Sequence, residues 1–566
     1  MTTKTRLTLL AATGLCAALA LPAGAQDLDH RQADDFAAWL VDDGQHAKAA
    51  GLYAEAYDER SRPVYAHEAA ELYFAVKDYA KAARYYAAVA KNSDYPQARL
   101  QLARAQMRMG DYAAARATYA EHREKYVRED SAAVRATIKA ELASIDYAEA
   151  ERVRVDPTVF ADKLGGSVNG MKNEICPMPL DGGRTLAFVS DFDGTMRAYA
   201  TSKGRNGWSQ MAPADDIPVV EDAHIGGGTL VGDDRFYFAR CATSELVTQP
   251  TAACQIYVVT RRGGAWGEPK ALPGNINLEG STALQPYVFE QDGKEVMLFA
   301  SDRPGGQGAM DIWRAERDLA GDVTVFGTPV NLGEAVNGPG NEVTPFYNPE
   351  TRVLSFSTDG ATVMGGYDVY QATATGQGLA EFKPAVNAGS PVNSVGDDYY
   401  YREVVGTSQA YVASNRGKDP AKTNLVNDDI FEVTYDNPNV TVEVLVVEDG
   451  TGKPLTDVTL TASVDPDGHL LKPMVARRSL DGYFTLTLPV DRDVTVEIER
   501  PYFDDDTAAI YLPVGSRDGH EIEPLRLKRT PVGADDLPVV SRGVATDDDG
   551  VVVKRKIMTA TADEEN

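Results

Sequence analysis

The feature that most constrains this chain is a strand pattern that recurs five times at spacings of 56 to 61 residues. Its core is a strand ending in Phe/Tyr-x-Ser/Ala, a Gly/Asp turn, and a strand opening with Asp-Ile-Trp or a variant. The copies are "LAFVSDFDGTMRAY" ending at Tyr199, "FYFARCATSELVTQPTAACQIY" at Tyr257, "MLFASDRPGGQGAMDIW" at Trp313, "LSFSTDGATVMGGYDVY" at Tyr370 and "AYVASNRGKDPAKTNLVNDDIF" at Phe431. After each of the first four comes an aromatic residue, Trp208, Trp266, Phe326 or Phe382, then a strand and a Gly/Asn junction such as "VNLGEAVNGPGNE". One such unit cannot bury both of its faces alone, so neighbouring units must cover each other. Four strands per repeat at this period describe a propeller blade.

The fifth copy runs from its third strand into "VTYDNPNV" without the aromatic residue or the junction. Ahead of the first copy stands "VFADKLGGSVNGMKNE", with Phe160 and Val168-Asn169 where Phe326 and Val336-Asn337 stand in the third copy. The missing strand is therefore expected from the other end of the repeat array, which closes the ring and removes its free edges. The expectation is a WD-like propeller over 157–436 with five blades, six being the alternative if one copy is degenerate.

A shorter period precedes it. Steps of 33 residues superpose Ala37, Ala70 and Ala103, then Ala49, Ala82 and Ala115, then Tyr53, Tyr86 and Tyr119. Helix, short Gly/Asp turn and second helix repeat three times over 26–150, with alanine where helices approach. The stretch "MGDYAAARATYAEH" resembles the tetratricopeptide repeat, which implies a concave groove for peptides; a plain helical spacer is the alternative.

Lys4 and Arg6, an apolar run over 7–21 and the small residues Ala23-Gly24-Ala25 read as a secretory signal occupying 1–25. A lipoprotein site at Cys16 is the lesser alternative, because Leu15 precedes it where a small residue is usual. Cysteine use fits export: Cys241 and Cys254 end and begin neighbouring strands of the second copy and are expected to form a disulfide, leaving Cys176 as a buried thiol. Alternating runs over 438–528, punctuated by Asp449-Gly450 and Asp481-Gly482, predict a small β-sandwich of about seven strands. Residues 529–566 read as a flexible acidic tail.

Catalytic motifs are missing. No Gly-x-Ser-x-Gly elbow, Walker loop or Gly-x-Gly-x-x-Gly follows a strand, and His67-Glu68-x-x-Glu71 lacks the second His of a zinc helix. Asp191-Phe192-Asp193-Gly194 and Asp465-Pro466-Asp467-Gly468 imitate the start of a calcium loop but lack its closing Glu, so they read as turns. No cofactor and no metal is expected. With 84 Asp+Glu against 56 Lys+Arg the formal charge is -28, which repels nucleic acid and anionic lipid. No later segment has the 18 apolar residues that direct membrane insertion by a helix requires.

The order of export signal, tetratricopeptide helices, propeller with "FASDRPGGQGAMDIW", and a sandwich in which Asp-x-x-Gly-x-Pro-Leu precedes Asp-Gly-Tyr-Phe resembles the PorE-like envelope proteins of Bacteroidota. The sandwich is similar to the carboxypeptidase regulatory-like domain, and the blades are similar to those of TolB. This resemblance implies a non-enzymatic scaffold in the periplasm, associated with the outer membrane, whose partners are envelope or secretion-machinery proteins of a type IX secretion or gliding machine. Only 37 residues follow Arg529, too few for the OmpA-like domain that usually ends such chains, so direct peptidoglycan binding is not expected. The competing expectation is a propeller enzyme or a glycan- or peptide-binding protein with its site in the central funnel.

Overall fold

The computed structural model describes residues 30–530 outside 43–44, 126–130, 154–158, 206, 215–216, 219–222, 243–253, 376–378, 418–426, 436–438 and several short stretches between 465 and 521. The expected signal at 1–25 with Cys16, the turn at 465–468, and the tail beyond 530 lie outside the described residues. The chain divides into two compact units, Met1–Asp436 and Asn437–Asn566.

Among the described residues the first unit begins with seven helices: α1 (His30–Asp42), α2 (His46–Arg60), α3 (Pro63–Ala75), α4 (Tyr79–Val89), α5 (Ala98–Arg108), α6 (Tyr112–Lys125) and α7 (Ala132–Val153). The 33-residue period shows its cause in the packing. Ala49, Ala82 and Ala115 are fully buried where α2, α4 and α6 meet their neighbours, and Tyr86 and Tyr119 are fully buried one turn later. Alanine is needed there because any larger side chain would hold the helices apart. The turns are built locally: the Asp78 carboxylate accepts from the Lys81 amide (3.2 Å) and Asp111 accepts from Ala114 (3.1 Å), satisfying amides that the helix leaves unpaired.

Next come five antiparallel sheets. The first holds β2 (Glu174–Leu180), β3 (Thr185–Ser190) and β4 (Arg197–Gly204); the second β5 (His224–Val231), β6 (Arg235–Cys241) and β7 (Cys254–Arg262). The third holds β8 (Ala283–Gln291), β9 (Lys294–Ser301) and β10 (Asp311–Asp318); the fourth β11 (Glu342–Asn348), β12 (Val353–Thr358) and β13 (Asp368–Thr375); the fifth β14 (Asp398–Glu403), β15 (Gln409–Ser414) and β16 (Asp429–Tyr435). Two-residue strands such as Val330–Asn331 and Val386–Asn387 flank β4, β7, β10 and β13 on the outside. The outer edge of the fifth sheet is different. There β1 (Val159–Lys163) pairs antiparallel with β16, Val159 opposite Tyr435 and Lys163 opposite Phe431. The first strands of the sheets lie against one another in sequence, β2 against β5, β5 against β8, β8 against β11, β11 against β14, and β14 back against β2. The arrangement is cyclic.

The Gly/Asn junctions act through their asparagines. Asn337 accepts from the Ile312 amide (2.8 Å) and donates to the Ile312 carbonyl (3.0 Å). Asn277 does the same for Ile256, Asn393 for Val369 and Asn169 for Ile430. One side chain thus supplies the acceptor that the third strand's amide needs and shares its carbonyl with a backbone amide of the outer segment, such as Leu332 at Ile312. Asn169, carried by the chain that precedes the first sheet, serves the fifth.

The helices and the five sheets fall within one compact unit. Tyr112, Ile145 and Ala148 share a buried cluster with Met364 and Val395, and the Tyr112 hydroxyl donates to the Met364 carbonyl (2.8 Å). Apolar side chains of the last helices and of the loops of the fourth and fifth sheets thus share one core cluster.

Among the described residues the second unit has eight strands in two four-stranded sheets, where about seven strands were expected. Asn439–Glu448 is central to one and Thr459–Val464 to the other. Val440, Val442, Val444 and Val446 alternate inward with Leu486, Leu488, Val494, Val496 and Ile498 to form one core. Among the described residues no helix is long and apolar enough to cross a membrane.

Replacing Asn337 by Ala removes the partner of the Ile312 amide in a site that is 2% exposed, while the Ile312 carbonyl keeps its bond from the Leu332 amide. The expected loss is about 2 kcal/mol in denaturant unfolding of the first unit, from one buried backbone amide left unpaired; a loss below about 0.5 kcal/mol would show that the asparagine ladder is dispensable.

Candidate functional site

An enzymatic funnel would gather carboxylates at the N-terminal ends of the five first strands, and carboxylates are present there. Nearly all are occupied in holding the loops. Glu174 accepts from the Gly170 amide (3.1 Å) and the Ser190 hydroxyl (3.2 Å); Glu342 accepts from Gly338 (2.9 Å) and Thr358 (2.7 Å) at the equivalent place in the fourth sheet. Asp191, Asp302 and Asp359 each bind the backbone amide that leads into a first strand, those of Asn173, Thr282 and Asn341. Asp398 pairs with Arg416 (2.5 Å). Burial pushes Glu174 up to about 8, and Glu342 and Asp368 up to about 7, against the bonds they accept. These perturbed groups repeat from sheet to sheet, which is the mark of a structural role.

The helices cover part of the same face. Lys77, in the turn between α3 and α4, places its ammonium 3.2 Å from Asp397, 3.8 Å from Asp428 and 3.3 Å from the Tyr399 hydroxyl. Burial alone would discharge this lysine, but Asp428 and Asp397 outweigh it and hold the ammonium above its ordinary pKa. Asp397, the nearer partner, is held low by Lys77 and Arg108 despite its own burial, whereas burial raises Asp428. Arg108 of α5 donates to the Gly365 carbonyl. The helical repeats thereby supply a counter-charge to Asp397 and Asp428, which precede β14 and β16 of the fifth sheet.

Midway along the axis the passage is closed. Every first strand has a β-bulge at the same place, and each bulge has one residue at positive φ: Cys176 (51°), Gly227 (102°), Gln285 (55°), Thr344 (53°) and Tyr400 (53°). The bulges re-aim the side chains of Cys176, Gln285, Thr344 and Tyr400 toward their neighbours. Cys176 Sγ accepts from the Gly228 amide (3.4 Å), Gln285 from Thr344 (2.9 Å) and Thr344 from Tyr400 (3.1 Å). The Tyr400 phenol crosses to the Gly226 carbonyl (3.2 Å). Position 227 is glycine because a Cβ there would stand 2.9 Å from that hydroxyl.

Beyond this belt, toward the C-terminal ends of the first strands, lies a cavity of about 270 Å³. All five first strands line it: Met178 and Leu180 from β2, Thr229 from β5, Tyr287 from β8, Phe346 from β11, and Arg402 and Glu403 from β14. The Tyr287 and Phe346 rings lie 5.0 Å apart at 59°. The Arg402 guanidinium sits 5.0 Å over the Tyr287 ring, donating to Thr229 Oγ1 (3.4 Å) and the Gly228 carbonyl (3.2 Å). Glu403 accepts from Asn348 (2.6 Å) and from the Tyr401 hydroxyl (3.4 Å). Val405, 41% exposed, borders the cavity where the chain leaves β14.

Cys241 and Cys254 stand opposite each other at the end of the β6–β7 ladder, Cα atoms 4.3 Å apart, and are disulfide-bonded. Cys176 is free and fully buried, and burial raises its thiol. Asp191 is a turn residue bonded to Asn173, and His67 is flanked by Glu68 and Glu71 on a helix face. Among the described residues no group of three His, Cys, Asp or Glu is placed to hold a metal. The cavity residues were missed from sequence. Their one signal is that Arg402-Glu403 interrupts a first strand that is otherwise aromatic and apolar, "YYYREVV".

A family model for the tetratricopeptide repeat matches residues 73–138, and that stretch is tetratricopeptide repeat. No curated protein matches the chain. Among solved structures it is similar to an α-L-arabinofuranosidase from Lactobacillus brevis (17% identity, 51% of this chain and 97% of that one, TM-score 0.34). A β-fructofuranosidase from Bombyx mori (12%, 69% and 93%, TM-score 0.33) and an endo-arabinase from Bacteroides thetaiotaomicron (16%, 48% and 96%, TM-score 0.30) are others. The similar structures are mainly glycoside hydrolases, and this corrects the expectation of a non-enzymatic envelope scaffold in favour of the competing expectation, a site within the β region. Scores near 0.3 transfer no activity. No comparison links the chain to the PorE-like proteins.

The raised carboxyls give a pH dependence. Glu342 keeps its proton in the folded chain up to about pH 7, while the unfolded chain releases it near 4.5, so between those values the folded state binds more protons and stability falls as pH rises. The thermal midpoint of the first unit is expected to fall from pH 5 to pH 8, and to fall less steeply in Glu342→Gln. Parallel slopes in the two proteins would show that Glu342 is ionised throughout.

Proposed function

We propose that the five sheets are the blades of a closed five-bladed propeller, that the second unit is a separate β-sandwich, and that the propeller binds one sugar-sized residue in its axial cavity. The observation that supports this is the convergence of all five first strands on a single cavity of about 270 Å³. Sites of this kind combine apolar walls with a few converging polar groups. A sugar ring has an apolar C–H face and a polar rim, and the cavity offers aromatic rings at Tyr287 and Phe346 beside polar groups at Thr229, Arg402 and Glu403.

Binding is favoured over hydrolysis by the cavity's own chemistry. Glycoside hydrolysis generally uses two carboxyl groups flanking the scissile bond, and Glu403 is the one carboxylate among the described lining residues. It is also engaged by Asn348 and Tyr401. The Cys241–Cys254 disulfide supports an oxidising compartment outside the cytoplasm, in keeping with the expected export signal.

Calorimetric titration of the full chain with a panel of neutral and acidic monosaccharides is expected to reveal at least one ligand. Val405→Trp, which places bulk at an exposed position on the rim, is expected to weaken it at least tenfold with unchanged circular dichroism and thermal midpoint. Equal binding by both proteins would move the site elsewhere, and no binding by the native chain would remove the reading.

A further inference from the structure

Resting on that reading of the cavity, we infer that the residue bound there is an acidic sugar whose carboxylate is held by Arg402. Arg402 is 5% exposed, and the contacts of its guanidinium leave it short of a counter-charge. Its two hydrogen bonds, at 3.4 and 3.2 Å, go to a hydroxyl and a carbonyl, and its third contact is the Tyr287 ring. Among the described residues no carboxylate is within ion-pairing distance.

Other buried arginines of the β region show what satisfaction looks like. Arg317 donates to Glu295 at 2.7 Å and Arg416 pairs with Asp398 at 2.5 Å. Arg303 has no carboxylate, but its donors are used on the Ser301 hydroxyl (3.1 Å) and the carbonyls of Asn275 (2.9 Å) and Ile276 (2.5 Å). Arg402 alone of these four lines the cavity. The neighbouring acid does not neutralise it, because Glu403 is turned to Asn348 and Tyr401.

A buried cation with spare donors beside an enclosed space is costly unless an anion shares the space. Guanidinium matches a carboxylate with two parallel N–H donors, a geometry that neutral hydroxyls do not reproduce. The cavity's volume admits one ring, and the aromatic pair at Tyr287 and Phe346 would lie along that ring's C–H face. A hexuronate has that combination of ring and carboxylate.

The test is calorimetric titration of the full chain with galacturonate, glucuronate and mannuronate, each beside its neutral parent hexose and its methyl ester. At least one uronate is expected to bind roughly 30-fold more tightly than its parent and its ester, as for loss of a charge-assisted bidentate contact. Arg402→Met should erase that ratio, and Arg402→Lys should keep part of it. The ester comparison needs no variant and decides the matter if Arg402→Met fails to fold. Equal affinity for uronate, ester and parent would overturn the carboxylate assignment and leave the cavity reading standing. Tighter binding of N-acetylalanine than of any uronate would overturn the sugar in favour of a peptide end. Silence from every sugar would sink both.

Discussion

The antiparallel pairing of β1 with β16 is the interaction on which the rest of the first unit depends. Without it the fifth sheet would end in an unpaired strand, and the chain before Glu174 would have no reason to return to it. With it, the Lys163 ammonium reaches Asp429 and Asn169 caps the ladder at Ile430, so the two ends of the β region are joined by backbone and by side chains together. Closure also forces the five first strands into mutual contact. An antiparallel sheet twists, and five twisted sheets around one axis leave no room for straight inner strands. The five bulges meet that demand by bending every first strand at one level.

The bulges have a second effect, which is to divide the axis. Their re-aimed side chains form a hydrogen-bonded belt, with the Tyr400 phenol reaching across to the second sheet. On one side of this belt the loops are tied by carboxylates and partly covered by helices whose Lys77 neutralises Asp397 and Asp428. On the other side the strands diverge and leave the cavity. The cavity thus lies on the side of the belt away from Lys77, and it places the Arg402 cation beside Glu403, although the chain as a whole has a formal charge of -28. Net charge governs long-range attraction, whereas a buried guanidinium acts on whatever enters the space beside it.

Much of the architecture was legible because both repeat periods express packing that recurs at each step. Ala82 and Ala115 hold equivalent helix contacts 33 residues apart, and Asn277 and Asn337 serve equivalent strands, so the same residue type returns at the same spacing. The packing of helices on sheets was not legible, because a composition change at 150 marks only a change of secondary structure, and contacts such as Tyr112 to Met364 join residues some 250 positions apart. The candidate site was illegible for a related reason. Thr229, Tyr287, Phe346 and Arg402 come from four different repeats and share no motif; each strand contributes a residue or two, and their nearness is a property of the ring.

What the sequence by itself determined is the set of local units: helical hairpins with alanine at their contacts, strands with alternating burial, Asp-Gly turns and asparagine junctions. These follow from steric fit and backbone hydrogen bonding within a few dozen residues, and they are written again in each repeat. What only the tertiary structure decided is which end of the axis is open and what charge waits there. That depends on bulges at one level in five strands, on a lysine brought from a helical turn to two distant aspartates, and on an arginine left without a carboxylate. Such facts arise from distances between repeats, and distances between repeats are set by closure of the ring.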